Sequence, residues 1–447
     1  MVCYHLTMRF AASLGLCLLL FQSTPSQPKP IEYKETTLPN GLHVITHEDH
    51  STPVTNIQVW YHVGSKDEKP GRTGFAHLFE HLMFKGSAHI KPEEHDKIIT
   101  NAGGVSNAYT QDDVTVYWET FPANYLEKVL WMEADRMATL DVSPENFKAE
   151  REVVKEERLT RIDNHPYGDL TERLYANAFQ VHPYKHVTIG SMQDLDAATI
   201  GDVREFYHTY YVPNNATIVM AGDLKSGEAG DWIKKYFGNI PKSQQPIVRS
   251  NVKEPPQDKE RRVVQMKAVP LPAYVAGYHI PADGDPDSYP LVIASSILSE
   301  GRSSRIYKSV VYDKRLAVEA DASGNFTEDP NLFFATVIMN QGVPVEAGEK
   351  ALNAELMRMM TEPVTDHELE KAKNKMRAEY AFSRQSVQEK ARALAHAAVI
   401  HGNTATVNNE YELFMKVTKE DILRVSKMYF RPENRTVLIV VPPKGGK

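Results

Sequence analysis

The chain has 447 residues, enough for roughly two to three domains of ordinary size. With 42% hydrophobic and 24% charged residues it has the make-up of a globular protein, which excludes a disordered or fibrous chain. Lys+Arg 51 against Asp+Glu 58 leaves a net charge of −7, without the basic excess a nucleic-acid partner requires, and two cysteines cannot build a disulfide scaffold or a multi-thiolate metal site.

Both cysteines, Cys3 and Cys17, stand at the N-terminus. There Ala11 to Phe21 (AASLGLCLLLF) is an unbroken small and apolar run, preceded by Arg9 and followed by the polar, proline-broken QSTPSQPKP of Gln22 to Pro30. A short basic entry, an apolar centre and a polar exit describe a secretory signal peptide over residues 1–27. The run is too short to span a bilayer, which takes about 20 residues. Removal between Phe21 and Lys29 would leave no cysteine and no membrane span. That suits an oxidising compartment, so a periplasmic or secreted location is expected.

Beyond the leader, His43–Thr46, Asn56–His62 and Thr115–Thr120 read as strands, and Asn124–Thr139 and Pro144–Ile162 as long helices. Between them Thr73 to Gly86 (TGFAHLFEHLMFKG) reads as a helix, with Thr73 as N-cap and Gly86 as stop. It is apolar nearly all round except for its ends and for His77, Glu80 and His81. At about 100° per residue those three share one face of a helix whose other faces demand burial. Two imidazoles and a carboxylate taken from water need partners, and a divalent metal held by the histidines, with Glu80 free beside it, supplies them. The plainer alternative is a core or solvated histidine pair, since a His-x-x-acid-His order also arises by chance. A third ligand would come from Ala149 to Leu159 (AEREVVKEERL), where Glu150 and Glu157 lie about 20° from eclipsed and Glu156 about 120° away. Spacing does not choose between the first two, and a helix so rich in Glu, Lys and Arg is by itself ordinary solvated surface. The contexts of His89, His95, His165 and His401 are polar, and each reads as surface.

The chain also repeats itself. Asp202 to Met220 (DVREFYHTYYVPNNATIVM) and Asp421 to Ile439 (DILRVSKMYFRPENRTVLI) match at an offset of 219, with Tyr210, Pro213, Asn215 and Thr217 meeting Tyr429, Pro432, Asn434 and Thr436. Each copy reads as helix, Pro-Asn turn and strand. Ser143-Pro144 and the capping box of Thr365 with Glu368 open a long charged helix in each half. Pro241 to Arg262 is rich in Pro, Gln and charge and reads as the seam. The expected organisation is therefore a first half over 28–245, a linker over 246–262 and a related half over 263–447. The fold class is α+β, each half a mixed or antiparallel sheet covered by helices on one face.

The order H-x-x-E-H at 77–81, inverted relative to the commoner zinc motif, resembles that of the pitrilysin/insulinase family of zinc metallopeptidases, the inverzincins. Glu150-Arg151-x-Val153-x-x-x-Glu157 strengthens the likeness and points to the processing-peptidase branch. So do Leu38-Pro39-Asn40-Gly41-Leu42, Gly104-x-x-Asn107-Ala108-Tyr109-Thr110 and His182-Pro183-Tyr184 before Ile189-Gly190; the similarity runs from about Tyr33 to the C-terminus. The resemblance implies a clamshell of two halves enclosing a peptide substrate. It further implies one Zn2+ per chain held by His77, His81 and Glu157, with Glu80 as general base and Glu150 as the carboxylate behind the metal. Gly104, Asn107 and Ala108 would belong to an edge strand that takes up the peptide by strand addition. Three such ligands leave a position open for water, and Glu80 would take its proton and pass it to the leaving amine. A non-catalytic scaffold subunit is the competing class, but such members lose the metal motif. Zinc storage would call for clustered exposed histidines instead.

One part of the family pattern is missing. Active members carry an Arg and a Tyr in the non-zinc half, after a Gly-x-Ser-Ser-Arg stretch. Gly301-Arg302-Ser303-Ser304-Arg305 is present, but Val318 takes the place of the Tyr and the Arg position falls on Val311, or on Tyr312 with one deletion. The second-half helix that aligns with the zinc motif carries Val292, Ser295 and Ser296 and offers no second copy of it. Donors of that kind stabilise a transition state by about 3 kcal/mol each. The resemblance therefore implies a heterodimer, in which a homologous subunit supplies the pair; a slow homodimeric peptidase is the alternative.

Overall fold

The computed structural model describes residues 29–443, so the expected leader lies outside the described residues. In the first half, β1 (Lys34–Thr37), β2 (His43–Glu48), β3 (Val54–Tyr61), β4 (Val105–Thr110), β5 (Thr115–Pro122) and β6 (Ala216–Gly222) form one sheet in the order β1-β2-β6-β3-β5-β4. Only β2 and β6 run parallel. In the second, β7 (Arg261–Met266), β8 (Ala273–Ile280), β9 (Ala317–Gly324), β10 (Asn331–Met339) and β11 (Arg435–Val441) follow the order β7-β11-β8-β10-β9. Here the single parallel pair is β7 with β11. The second sheet thus repeats β2-β6-β3-β5-β4 strand for strand.

The offset of 219 carries the Ile200–Tyr210 helix, the Pro213–Asn215 turn and β6 onto Lys419–Tyr429, Pro432–Asn434 and β11. Each helix opens with a capping box, Thr199 with Asp202 and Thr418 with Asp421. Each turn is held by its asparagine. The Asn215 amide donates to the carbonyls of Tyr210 (2.8 Å) and His62 (3.2 Å), and that of Asn434 to Tyr429 (2.9 Å) and His279 (2.8 Å). A short polar side chain that closes the helix end onto the neighbouring strand explains the Asn at both places.

Alternation along the strands sends side chains to both faces of each sheet. Val44, Val59, Ile218 and Met220 enter the core beneath the first half's own helices, whereas Ile45, Trp60, Val219 and Ala221 point the other way. That second face is covered by the Val387–Val399 helix of the other half, through Val387, Ala391, Leu394 and Ala395. Reciprocally, Leu174, Tyr175 and Ala178 of the Leu170–Ala178 helix cover Val275, Leu438 and Val440 of the second sheet. Shifted by 219, residues 170–178 become 389–397, inside the first of these helices. Each half lends the same helix to the other, an exchange the sequence pattern does not announce.

Residues 241–260 carry neither helix nor strand. They are nevertheless fastened: Glu254 accepts the backbone amides of Gln180, Val181 and His182 at 2.7 to 3.0 Å. No helix among the described residues is long and apolar enough to cross a membrane.

Candidate metal centre

The helix that carries the two histidines spans Phe75–Leu82 and buries Phe75, Ala76, Leu78, Phe79 and Leu82. Thr73 is not its cap: its hydroxyl donates to Asp194 at 2.6 Å. Glu68 caps it instead, accepting from the amides of Gly74 and Ala76, both at 2.8 Å, where a carboxylate complements the positive helix end. Gly74 has φ +93°, and a Cβ there would lie 2.7 Å from the Ile189 carbonyl oxygen. The helix also ends before Gly86, which closes the following turn at φ +97°.

The second helix, Pro144–Arg158, is capped by Ser143, which accepts from the Asn146 amide, and a π-helical turn over Leu159–Asp163 follows it. It brings both glutamates to the histidines. One oxygen of Glu157, Oε2, lies 3.7 Å from His77 Nε2 and 3.3 Å from His81 Nε2. Its other oxygen pairs with Arg161 at 2.6 Å. Glu150 faces the opposite side of the second imidazole, with Oε2 3.5 Å from His81 Nδ1 and Oε1 3.2 Å from Lys85. The imidazoles lie nearly perpendicular, with ring centres 4.9 Å apart. Glu80 stands beside this set and accepts the Thr110 hydroxyl at 2.6 Å.

Electrostatics follow from burial. It pushes His77 down to about 4, helped by the nearby His81 and opposed by Glu157. His81 is raised: burial opposes this, but Glu150 and Glu157 prevail. Burial raises the carboxyl of Glu80 against the Thr110 hydrogen bond, whereas in Glu150 the effect of burial is overcome by His81 and Lys85. A tetrahedral site with ligand bonds of 2.0–2.2 Å separates its donors by about 3.4 Å. The Glu157-to-histidine distances of 3.3 and 3.7 Å match that edge. His77, His81 and Glu157 therefore fit a small divalent ion, and the donor set, two imidazoles and a carboxylate, suits zinc.

Asn107 and Ala108 lie on β4, the edge strand of the first sheet, opposite Trp118 and Tyr117. Gly104 immediately precedes it; a Cβ there would stand 2.6 Å from the Thr120 carbonyl oxygen, so close packing on β5 explains the glycine. Thr110 also borders a cavity between the halves, together with Asp112, Tyr175, Asn325, Thr327 and His396.

Four supporting groups escape the sequence reading: Glu68, Lys85, Thr110 and Arg161. Only Arg161 leaves a local signal, four residues beyond Glu157 on the same helical face. Two histidines expected at the surface are not there. His95 is 4% exposed, its imidazole 3.1 Å from Glu133 and 3.9 Å from Glu119, because its helix packs against the sheet at β4. The His401 side chain is 8% exposed and faces Asp283.

Comparison with known proteins agrees with this architecture. Residues 43–191 match the insulinase family (peptidase family M16), and residues 197–376 match the peptidase M16 inactive domain. The zinc protease PqqE of Helicobacter pylori is 33% identical over 444 residues, covering 98% of this chain and 100% of that protein. A probable mitochondrial-processing peptidase subunit beta of Arabidopsis thaliana is 28% identical over 271 residues, 60% of this chain and 50% of that one. Among solved structures, a protease from Helicobacter pylori superposes with a TM-score of 0.89 at 33% identity, over 92% of this chain and 100% of that chain. A peptidase M16 inactive domain from Pseudomonas fluorescens shares the fold, with a TM-score of 0.83 at 14% identity over 93% of this chain and 99% of that one. Two related α+β halves with an inverted zinc motif in one of them define the class. The chain belongs to the insulinase family, peptidase family M16.

Proposed function

We propose that this chain is a zinc-dependent endopeptidase acting on peptides held between its two halves. The observation that carries the reading is the convergence of His77, His81 and Glu157 on one point with Glu80 beside it and outside the set. When bound, zinc supplies Lewis acidity that polarises the scissile carbonyl and acidifies water.

The chain's own groups do the rest. His77 and His81 offer Nε2 and Glu157 offers Oε2, while Arg161 engages the other oxygen of that carboxylate. Glu150 orients His81 through Nδ1, the supporting role that carboxylates take behind ligating imidazoles. Thr110 holds one oxygen of Glu80, which leaves the other free to take a proton from water and deliver it to the leaving amine. The outer edge of β4, with Asn107 and Ala108, provides backbone groups for an extended peptide, and the cavity bordered by Thr110 gives it room.

The reading includes a partner and an address. Val318, on β9 and 53% exposed, stands at the place of the Tyr, and Val311 or, with one deletion, the 69% exposed Tyr312 at that of the Arg. A homologous subunit that supplies the pair makes the complex a heterodimer, and the name of one relative describes it as a subunit. The apolar leader fits export to the periplasm. The test is cleavage of a peptide library by the purified chain, alone and mixed with homologous subunits, with and without a chelator. No chelator-sensitive cleavage in any mixture would favour a scaffold subunit instead.

A further inference from the structure

The His401 side chain belongs to a second cluster, remote in sequence from the first. The Val387–Val399 helix, laid across the first sheet, carries His396 in its last turn, and His401 follows two residues beyond its end. Asp283, in the loop after β8, turns Oδ2 toward both: 3.1 Å to His396 Nε2 and 3.5 Å to His401 Nε2. Each is 0.2 Å shorter than its counterpart from Glu157 to His81 and His77. The ring geometry is alike, with centroids 5.0 Å apart at 80° here against 4.9 Å at 78° there. From these residues we infer that Asp283, His396 and His401 form a second zinc site, which pins the crossing helix to the second half.

Three further observations support it. His401 Nδ1 lies 3.1 Å from the Thr406 hydroxyl, so with Nδ1 donating, Nε2 presents its lone pair. That Nε2 is buried and has no hydrogen-bond partner. Gly284, at φ +78°, packs against the same ring: a Cβ would come within 3.2 Å of it, so the loop is shaped around the imidazole.

Charge separates this cluster from its look-alikes. In the His95–Glu119–Glu133 group the place of a metal is taken by Arg136, whose guanidinium lies 3.1 Å from Glu119 and 2.7 Å from Glu133. In the first half, Lys66 stands five residues beyond Tyr61, as Asp283 stands five beyond its counterpart Tyr278. There the Lys66 ammonium closes a carboxylate cluster that also reaches His182, the residue 219 places before His401. Among the described residues no Lys or Arg lies within 4 Å of the Asp283 carboxylate; its ionic partners are the two imidazoles. Glu410, its carboxyl raised by burial, adds a further acidic group nearby. A half-buried anion between two imidazoles is met either by an added proton or by a cation; the 3.1 and 3.5 Å spacings from Asp283, with all three donors within 4.8 Å of one another, suit the cation. His396 lines the cavity bordered by Thr110, which gives an ion a route in.

The experiment counts zinc. The full chain is loaded with excess zinc, desalted and assayed for metal by mass spectrometry, alongside His77→Ala, His401→Gln, Asp283→Asn and the double variant His77→Ala/His401→Gln. Two zinc ions per wild-type chain, one in each single variant and none in the double variant are expected. Zinc should also raise the melting temperature of His77→Ala but not that of the double variant. A single zinc per wild-type chain, lost in His77→Ala and unchanged in His401→Gln and Asp283→Asn, would show a protonated Asp–His–His network and overturn the site. The outcome at Asp283 is independent of whether the first site hydrolyses peptides.

Discussion

Thr110 on the edge strand β4 donates its hydroxyl to Glu80 on the histidine helix across 2.6 Å, so the strand proposed to take up substrate also holds the proposed base. Removing that donor leaves a half-buried carboxylate without its partner. Burial already raises the Glu80 carboxyl, and Thr110 opposes the shift. Thr110→Val should therefore raise it further. Because Glu80 must be ionised to accept a proton, the acid limb of the activity profile moves to higher pH. A hydrogen bond to a charged group is worth about 1.5–3 kcal/mol, so kcat should fall roughly tenfold or more. Metal content should not change. A pH–kcat profile with parallel zinc analysis checks this, and an unmoved acid limb would count against the role given to Thr110.

The neighbouring residues divide by what they lose. Glu80→Gln is expected to keep zinc at the first site and abolish hydrolysis, since Glu80 stands outside the ligand set. His77→Ala should lose that ion and hydrolysis together. Glu150→Gln should weaken zinc binding there by about 10–100-fold while leaving the ligands themselves in place. Zinc titration beside peptide cleavage separates the three; substantial turnover in Glu80→Gln would remove the general-base assignment.

The face that carries His77, Glu80 and His81 is legible in the sequence because it is local: they are the polar exceptions on an apolar helix, and helical geometry alone puts them together. The duplication was legible for a related reason, since Asn215 and Asn434 do the same backbone work at the same place. What could not be read is what comes from far along the chain. Glu157 and Glu150 share a helical face, and only the packing of that helix on the first shows Glu157 Oε2 toward both Nε2 atoms and Glu150 toward Nδ1. The cap on the histidine helix is not legible for a similar reason. Thr73 has the right residue type, but Gly74 enters the helix with positive φ and Glu68 reaches its amides first.

The proposed partner can be tested directly. Val318 stands at the place of the Tyr, and Val311 or, with one deletion, Tyr312 at that of the Arg, so neither required group is in its place. Mixing this chain with a homologous subunit that carries the Arg and Tyr but lacks H-x-x-E-H should raise kcat by a hundredfold or more, as two donors of about 3 kcal/mol each allow. The complex should elute as a pair of unlike chains. Equal rates for this chain alone and for every such mixture would leave the homodimeric reading in place.

The last prediction concerns the contact between the halves. Lys66 Nζ, 3% exposed, lies 2.8 Å from Asp113 in its own half and 2.5 Å and 3.4 Å from Glu328 and Asp329 in the other. Lys66→Met strands the buried Asp113 carboxylate and its half-buried neighbours Glu328 and Asp329 without their cation and should destabilise the chain by about 3 kcal/mol, read as a lower urea midpoint. Acid acts on the same cluster. Burial favours the neutral form of Glu328, but His62 and Lys66 hold its carboxyl down to about 2, below the ordinary 4.5. A carboxyl lowered in the folded state stabilises that state above its ordinary value and loses the contribution as pH falls toward the folded one. The stability of the wild type should therefore drop between about pH 4.5 and about pH 2, and Glu328→Gln should show a shallower decline over the same window. Both proteins share the histidine clusters around His77 and His401, so protonation there cancels in the comparison. Urea midpoints measured at several pH values decide it: equal slopes for the two proteins would mean that Glu328 takes no part in the acid response.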